Sequence, residues 1–419
     1  MREMAQGRWA AQMQFWRFVS NERVSVDKLI EGWSEQTREV ARARHVLAIQ
    51  DTSEIKFATT PEDRRGLGKV GKGNVFGVLL HAMMAVDADN GCCLGLTGGQ
   101  LWTRQAEAEV PHGNRPLSER ESSRWLTTAA QAKQVLSQAR MITVINDREG
   151  DLYAHWARTP QPNVHLLSRL MRDHALVTGT TLRKAAQQIA FCGKAVLDLP
   201  HRLDRPARKA HLCMRFGNAV LERPTKTGDK DLPASVVLSF VEVIEQHPPK
   251  GAEPVHWLLL TTHRLANAAD AWQIVAWYKQ RWIIEQFFRS MKSQGLRIED
   301  SQLETAERLM KLVAIAARAA ALVIQLVQAR NSGEMTPANV AFSADEIAAL
   351  AAINKTLQGK TAVQKNPYRS KTLPWAAWII ARLGGWTGYA SHRPPGPITF
   401  HNGLTRFQIF AAGYACANV

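Results

Sequence analysis

Residues 278–292 read YKQRWIIEQFFRSMK, and this stretch carries the strongest pattern in the chain. Its polar members recur at helical spacing and fall within an arc of roughly 80° when about 100° is allowed per residue. They are, in order, Tyr278, Arg281, Glu285, Arg289 and Lys292. Ile283, Phe287 and Met291 fall on the far side. The pattern therefore predicts a helix that buries one face and presents an acid flanked by bases on the other.

Two interpretations of this polar face are open. An ordinary solvated face would account for Arg281 and Glu285 as an i,i+4 ion pair. It would not require a tyrosine and three cations in the same line. The alternative is a phosphate-binding face, in which the cations contact a nucleic-acid backbone and the carboxylate of Glu285 holds a metal ion beside the reacting group.

Two buried runs upstream of this helix each end at an aspartate: VLAIQ before Asp51 and MITVIN before Asp147. Both runs are predicted to be short buried strands. Ligands of α/β sheets usually bind beyond the carboxyl ends of strands, so both aspartates are candidate functional groups, with a turn former or helix cap as the alternative. Glu149 and Asp151 compete for the second role, and Asp147 is preferred because it is nearest to the strand's end.

The rest of the chain predicts an α/β organisation. Two apolar runs joined by DADNG form a predicted β-hairpin at about 75–102. The stretch 179–262 is mostly β and contains the basic patch RPARKA at 205–210. Two long helices follow, at about 268–294 and about 303–329, and a smaller helical region closes the chain.

Composition excludes a disordered chain and favours a polyanion as partner. The 419 residues are 45% hydrophobic and 21% charged, and 53 Lys+Arg against 37 Asp+Glu give a net charge of +16. Nucleic acid is the commonest partner of so basic a protein, and a basic surface kept for solubility is the alternative.

The sequence favours a soluble, cytoplasmic protein with no membrane partner. Five cysteines without C-x-x-C spacing favour neither a disulfide framework nor a zinc ribbon. The first residues, MREMAQGRWAAQMQFWRF, never build the apolar segment of a signal peptide. The most apolar stretch, 319–329, is shorter than the roughly 18–20 residues that span a bilayer.

The helix at 278–292 also carries a family resemblance. The pattern Y-x-x-R-W-x-x-E-x-x-F-x-x-x-K, here Tyr278, Arg281, Trp282, Glu285, Phe288 and Lys292, resembles the Tyr-Arg-Glu-Lys signature of bacterial insertion-sequence DDE transposases of the insertion-sequence-four type. The segments LAIQDTS, VINDREGD, RPARKA, HWLLLTT and ARLGGW are similar to segments of that family and occur in the same order.

The resemblance implies an α/β fold with an RNase H-like catalytic core, a β-rich insertion and small helical N-terminal and C-terminal regions. The implied boundaries are 1–45 for the remnant of an N-terminal DNA-binding region, 46–178 and 263–330 for the core, 179–262 for the insertion, and 331–419 for the C-terminal region. The family suggests dimerisation through this last region, and simple helical packing is the alternative.

Carried over residue by residue, the resemblance makes Asp51, Asp147 and Glu285 the catalytic, metal-binding triad. It assigns DNA contacts to Tyr278, Arg281, Arg289, Lys292, Arg169, Trp257 and Trp282, with Arg289 standing where the family often has lysine. Trp257 would stack on a base flipped out of the transposon end, although a tryptophan in an apolar strand is ordinarily a core residue.

The implied cofactor is a pair of Mg²⁺ ions, for which Mn²⁺ would substitute. Cutting and rejoining DNA is an in-line displacement at phosphorus, and two ions about 3.5–4 Å apart can stabilise the attacking and leaving oxygens. Mg²⁺ takes oxygen ligands, so three carboxylates suffice if one of them bridges. By analogy with RNase H-like sites, the bridge is assigned to Asp51.

Three functions are consistent with these patterns. The first is a homodimeric transposase that cleaves double-stranded DNA at transposon ends and transfers the strand into target DNA. The second is an N-terminally truncated regulatory protein, inactive in transposition, that dimerises with the full-length enzyme, because family members usually have more residues before the point where this chain begins. The third is another RNase H-like nuclease, such as a structure-specific resolvase, which would leave Tyr278 and Trp257 without a role.

Overall fold

A computed structural model describes residues 9–60, 62, 65–104, 119–199, 206–225, 229, 231–330, 336–361, 364–389 and 392–417. Arg205, the first residue of the predicted basic patch, lies outside these residues, as do the first eight residues of the chain. The described residues form a mixed α/β structure built on one large sheet.

The centre of the sheet consists of three parallel strands, and a meander extends it on one side. The parallel strands are β1 (His45–Ala58), β5 (Met141–Asn146) and β6 (Val164–Arg169). The strands on that side are β2 (Gly68–Lys69), β3 (Phe76–Asp87) and β4 (Cys93–Trp102), and the meander runs through β1, β3 and β4. β3 pairs antiparallel with β1 and forms the predicted hairpin with β4, so the DADNG turn is confirmed.

Four antiparallel strands extend the sheet beyond β6. In chain order they are β7 (Gly193–Leu199), β8 (Arg208–Glu222), β9 (Ser235–Glu245) and β10 (His256–Thr261). β10 pairs with both β6 and β9, so the strands after residue 179 continue the central sheet rather than forming a second one.

The prediction that the first buried strand ends at residue 50 is wrong, because β1 runs on through Asp51 to Ala58. The parallel ladder with β5 ends at the pair Ile49–Ile145, whereas the antiparallel ladder with β3 continues, with Asp51 opposite Ala82. Past Ile49 the strand is therefore paired on one side only. Its sequence there, DTSEIKFA, begins with four polar residues and lacks the continuous apolar run that marks the buried half.

Helices cover both faces of the sheet and form the end of the chain. Their bounds are α1 (Trp9–Ser20), α2 (Val26–Glu31), α3 (Glu35–Val40), α4 (Arg124–Val135), α5 (Tyr153–Arg158), α6 (Leu182–Gln187), α7 (Ala268–Lys279), α8 (Trp282–Lys292), α9 (Ala306–Ala329), α10 (Ala344–Leu357), α11 (Leu373–Leu383) and α12 (Pro397–Ala417). α4 and α5 pack on one face of the sheet, and α8 and α9 pack on the other. α10, α11 and α12 form a separate core with the end of α9.

The predicted single helix at about 268–294 is two helices. α7 begins after Asn267, whose Oδ1 accepts a hydrogen bond from the backbone N–H of Asp270 and caps the helix. It ends at Lys279, and α8 starts at Trp282. Across the junction the backbone bonds run from residue i+3 to residue i, including Arg281 N to Tyr278 O at 3.0 Å. No glycine or proline marks this tighter turn, so no local sequence pattern predicts it.

The apolar stretch that the sequence indicates at 319–329 belongs to a longer apolar helix. Among the described residues, α9 is one helix that is long and apolar enough to cross a membrane by length and composition. Lys311 and Arg318 interrupt its apolar sequence, so the apolar stretch visible in the sequence begins only at residue 319. Of its most apolar window, 67% is buried inside the structure, as in a core helix.

Candidate active site

Three carboxylates that are far apart in the chain meet at one guanidinium. Arg281 contacts Asp51 through Nη1 at 3.2 Å. Its Nη2 lies 2.6 Å from Oε1 of Glu285 and 3.8 Å from Oδ2 of Asp147. The side chain of Arg281 is 13% exposed, whereas those of the three acids range from 23% to 36% exposed. Solvent therefore reaches the acids, while the cation between them is largely covered.

The fold explains why these three acids converge. Asp51 lies just past the end of the parallel ladder between β1 and β5, and Asp147 directly follows β5 on the neighbouring strand. Glu285 lies in the first turn of α8, whose apolar face packs on the same sheet through Ile284, Phe287 and Met291. The predicted burial of one face of this helix is confirmed.

Burial and crowding of charge raise the pKa of Asp51 from 3.8 to about 6. Desolvation is the largest cause, and the neighbouring carboxylates of Asp147 and Glu285 add to it. Arg281 and the backbone N–H of Thr52, which donates to Oδ1 of Asp51 at 2.8 Å, act in the opposite direction. The site therefore holds more negative charge than its one central cation compensates.

Tyr278 reaches the same site from α7. Its hydroxyl donates to Oδ1 of Asp147 at 3.3 Å, and burial, followed by the charge of Asp147, raises the pKa of this phenol. The side chain was expected on the solvated face of a continuous helix, but it is 5% exposed. The tight turn between α7 and α8 allows Tyr278 and Arg281 to approach Asp147 from consecutive helices.

Arg169 and Trp257 lie on the strands beside Tyr278. Arg169 ends β6, is half-buried, and donates from Nη2 to the backbone oxygen of His256 at 2.9 Å. Burial lowers the pKa of its guanidinium, which lies within electrostatic range of Asp147 and Tyr278. Trp257 is partly buried against the core and meets the ring of Tyr278 edge-on, with 6.0 Å between the ring centroids. Trp257 therefore combines core packing with a contact to Tyr278, the residue that reaches Asp147.

The remaining predicted contacts lie on α8. Trp282 begins the helix and is partly buried, and Arg289 is exposed about one turn beyond Glu285. Lys292 is half-buried at the end of the helix, where desolvation lowers its pKa and the charges of Glu299 and Lys56 reach it. Lys292 therefore lies within electrostatic range of Lys56 and Glu54 in the second half of β1.

The acids that competed with Asp147 have other partners. Asp151 is buried and accepts hydrogen bonds from Trp156 Nε1 at 2.9 Å and from the backbone N–H of Met171 at 2.8 Å. Glu149 is largely exposed and pairs with Arg124 at 2.8 Å. Neither carboxylate contacts the guanidinium of Arg281 in the way that Asp147 does.

The donor chemistry of the site fits a hard divalent cation. As placed, the three acids surround a guanidinium, and within the described ranges no group of three or more His, Cys, Asp or Glu side chains is arranged to hold a metal ion. The partly exposed acids Asp51, Asp147 and Glu285 nevertheless offer only oxygen donors, which Mg²⁺ and Mn²⁺ prefer over nitrogen or sulfur.

Sequence reasoning missed a buried polar network behind the acids. Gln50, His81 and Asn146 are 0% exposed, and they are hydrogen-bonded to one another directly beneath Asp51 and Asp147. The available signal was that polar residues, Gln50 and Thr52, flank Asp51 on both sides, directly after the apolar residues 46–49 of the strand.

Comparison with known proteins gives the family. A family model described as the transposase DDE domain matches residues 109–322, a range that includes Asp147 and Glu285 and begins after Asp51. A solved structure described as a piggyBac transposase synaptic complex with hairpin DNA is similar at 10% identity and a TM-score of 0.36, covering 90% of this chain and 54% of that one. This chain thus spans about half the length of that transposase. Because the family model covers more than half of the sequence, the chain belongs to the DDE transposase domain family.

Proposed function

We propose that the protein is an insertion-sequence transposase of the insertion-sequence-four type that cleaves DNA at transposon ends and joins the cut strand to target DNA. The observation that carries the proposal is the meeting of Asp51, Asp147 and Glu285 around Arg281. Membership of the DDE transposase domain family supports it. The regulatory, transposition-inactive alternative gains no support from the site or from the family match.

The sheet order supports an RNase H-like core for this enzyme. An antiparallel meander of β1, β3 and β4 adjoins the parallel strands β5 and β6, and Asp51 and Asp147 lie just past the end of the parallel ladder between β1 and β5. We assign 46–178 and 263–330 to this core and 179–262 to the insertion. The segments 1–45 and 331–419 are its helical flanks, and the second is the candidate dimerisation region for holding two transposon ends together.

Divalent metal ions, the usual cofactors of DDE transposases, would be held by Asp51, Asp147 and Glu285. When bound, they would supply Lewis-acid stabilisation of charge at the phosphorus that reacts. The residues around the triad orient it: Tyr278 fixes one oxygen of Asp147, and Arg281 links the three acids. Guanidinium groups bind phosphate oxygens as they bind carboxylates, so Arg281 is also placed to contact the DNA backbone beside the scissile bond.

The other proposed DNA contacts surround this centre. Arg169 lies on the Tyr278 side of the triad, while Arg289 and Lys292 follow Glu285 along α8 and extend a basic path away from it. Trp282 begins the same helix. Trp257 presents an aromatic ring beside Tyr278, where a base displaced from the end of the duplex would recover stacking. The net charge of +16 suits a polyanionic substrate.

The proposal is tested by DNA cleavage with the purified chain. The substrate is a duplex that carries the ends of the element encoding this protein, and Mn²⁺ is supplied as the cofactor. Asp51→Asn, Asp147→Asn and Glu285→Gln should each abolish cleavage while the duplex is still bound. Asp300→Asn, which changes a carboxylate paired with Arg297 away from the site, is the matched control and should cut normally. Cleavage by all three site variants would refute the assignment.

A further inference from the structure

The face of β1 opposite Asp51 carries a hydrogen-bonded network centred on His81. Gln50 and Thr52 flank Asp51, so their side chains lie on the other face of the strand. His81 pairs with Thr52 across the β1–β3 ladder. Its Nδ1 lies 2.8 Å from Oγ1 of Thr52, and its Nε2 lies 3.0 Å from Oε1 of Gln50. One imidazole therefore spans both neighbours of Asp51.

The network continues to the strand that carries Asp147. Nε2 of Gln50 donates to Oδ1 of Asn146 at 2.7 Å and to the backbone oxygen of Trp125 at 3.2 Å. Asn146 is the last residue of β5 and directly precedes Asp147. Since the parallel backbone ladder stops at the pair Ile49–Ile145, this side-chain bond joins the two strands at the next position along them.

Arg124 closes the network from the other end. Its Nε donates to Oγ1 of Thr52 at 2.8 Å, and its Nη2 donates to Oε2 of Glu149 at 2.8 Å, two residues after Asp147. The segments around Asp51 and Asp147 are thus linked twice, once through Gln50 and once through Arg124.

The hydrogen bonds of the network have one consistent direction. A guanidinium only donates, so the Thr52 hydroxyl accepts from Arg124 and directs its own proton to Nδ1 of His81. His81 then carries its proton on Nε2 and donates to Oε1 of Gln50. This leaves the amide group of Gln50 to donate to Asn146 and to the backbone oxygen of Trp125. Every bond in the chain has a donor facing an acceptor, which fixes the positions of all members.

We propose that Gln50, Thr52, His81 and Arg124 are positioning residues that set the separation of the Asp51 and Asp147 carboxylates for binding divalent ions. The inference rests on the proposed function of the triad. Carboxylates that share metal ions repel one another, and small errors in their placement weaken binding strongly. A network that braces both strands behind the acids opposes that repulsion, and partners of this kind typically change metal affinity by about 10–100-fold.

Thr52 offers a matched pair of substitutions. Thr52→Val removes the hydroxyl at nearly constant volume and cuts the link between Arg124 and His81, while the backbone N–H that donates to Asp51 is kept. Thr52→Ser restores the hydroxyl. Arg124→Gln opens the network at its partly exposed end and serves as a second variant if the valine protein does not fold.

The test measures Mn²⁺ binding to the full chain without DNA. The concentration of free Mn²⁺ is monitored by electron paramagnetic resonance. Thr52→Val and Arg124→Gln should weaken Mn²⁺ binding by about tenfold or more, and Thr52→Ser should recover the affinity to within about twofold. The Mn²⁺ concentration that half-saturates DNA cleavage should rise by the same factor, with the rate at saturating Mn²⁺ largely retained. Urea unfolding in EDTA should show that the valine protein is still folded under the conditions of the binding assay, although it loses the hydroxyl that faces the buried Nδ1 of His81.

The outcomes separate the two proposals. If Asp51→Asn abolishes Mn²⁺ binding but Thr52→Val and Arg124→Gln bind as tightly as the unmodified chain, the network is only structural and the inference is overturned. If the valine and serine proteins lose affinity and stability equally, the hydroxyl has no positioning role. If the unmodified chain binds no Mn²⁺, or Asp51→Asn leaves binding unchanged, the function proposed for the triad fails and the inference falls with it.

Discussion

Replacing Asp51 by asparagine should stabilise the protein while abolishing its activity. Because the pKa of Asp51 is raised from 3.8 in the unfolded chain to about 6 in the folded one, the folded state binds the proton more tightly. The resulting stability is fully present below pH 3.8 and is lost as the pH rises through about 6. Ionised Asp51 therefore destabilises the fold at neutral pH when no divalent ion is bound.

The size of this effect follows from the two pKa values. Each pH unit of separation corresponds to about 1.4 kcal/mol, so the loss of stability is about 3 kcal/mol at pH 8 and about 1.5 kcal/mol at pH 5. These figures are upper bounds, because 23% of the Asp51 side chain is exposed to water. Asparagine resembles the protonated acid and does not titrate. The advantage in unfolding free energy of Asp51→Asn over the parent should thus grow by up to about 1.5 kcal/mol between pH 5 and pH 8.

The assay is urea unfolding in EDTA at both pH values, for the parent and for Asp51→Asn. The substitution also removes hydrogen bonds, but their contribution to the unfolding free energy is the same at both pH values. It therefore cancels when the two pH values are compared. Asp300→Asn, at an exposed carboxylate, is the control and should change stability by less than about 0.5 kcal/mol at both. An advantage of Asp51→Asn that stays constant or shrinks from pH 5 to pH 8 would refute the electrostatic account of the site.

Three further predictions concern packing, charge and stacking. Phe287→Ala should cost about 3–5 kcal/mol in urea unfolding, because the ring is fully buried between α8 and the sheet; a cost below about 1 kcal/mol would contradict that packing. DNA affinity should fall by about 10³-fold or more between about 50 and 200 mM salt if six or more phosphates are contacted, and a flat dependence would show that the basic excess is incidental. Trp257→Ala should slow cleavage of an intact duplex more than cleavage of a duplex lacking the terminal base, whereas Trp257→Phe should retain most activity; equal slowing of both substrates would make Trp257 a core residue only.

Sequence patterns identified the candidate site residues because these residues mark regular elements. The apolar side of the helix at 282–292 predicted its buried face, and the apolar runs before Asp51 and Asp147 predicted two buried strands. Each of these signals depends on residues that are close in sequence. The convergence of the acids on Arg281 depends on strand order and on helix packing, which no local pattern specifies.

The features that no local sequence pattern predicts all depend on tertiary contacts. β1 continues past Asp51 because β3 supplies a partner for residues whose own pattern is ambiguous. The tight turn before Arg281 lacks a glycine or proline, and it brings the buried hydroxyl of Tyr278 to Asp147. The network around His81 joins three strands and one helix, so none of its members stands out along the chain.

The central claim is that the carboxylates of Asp51, Asp147 and Glu285 together hold the divalent ions at which DNA is cut. It is tested most directly by anomalous scattering from crystals of the full chain soaked in Mn²⁺ with a transposon-end duplex. The account predicts Mn²⁺ peaks within about 2–2.5 Å of oxygens from all three side chains, with the scissile phosphate beside them. Mn²⁺ bound elsewhere, or a cut site served by only one of the three acids, would contradict it.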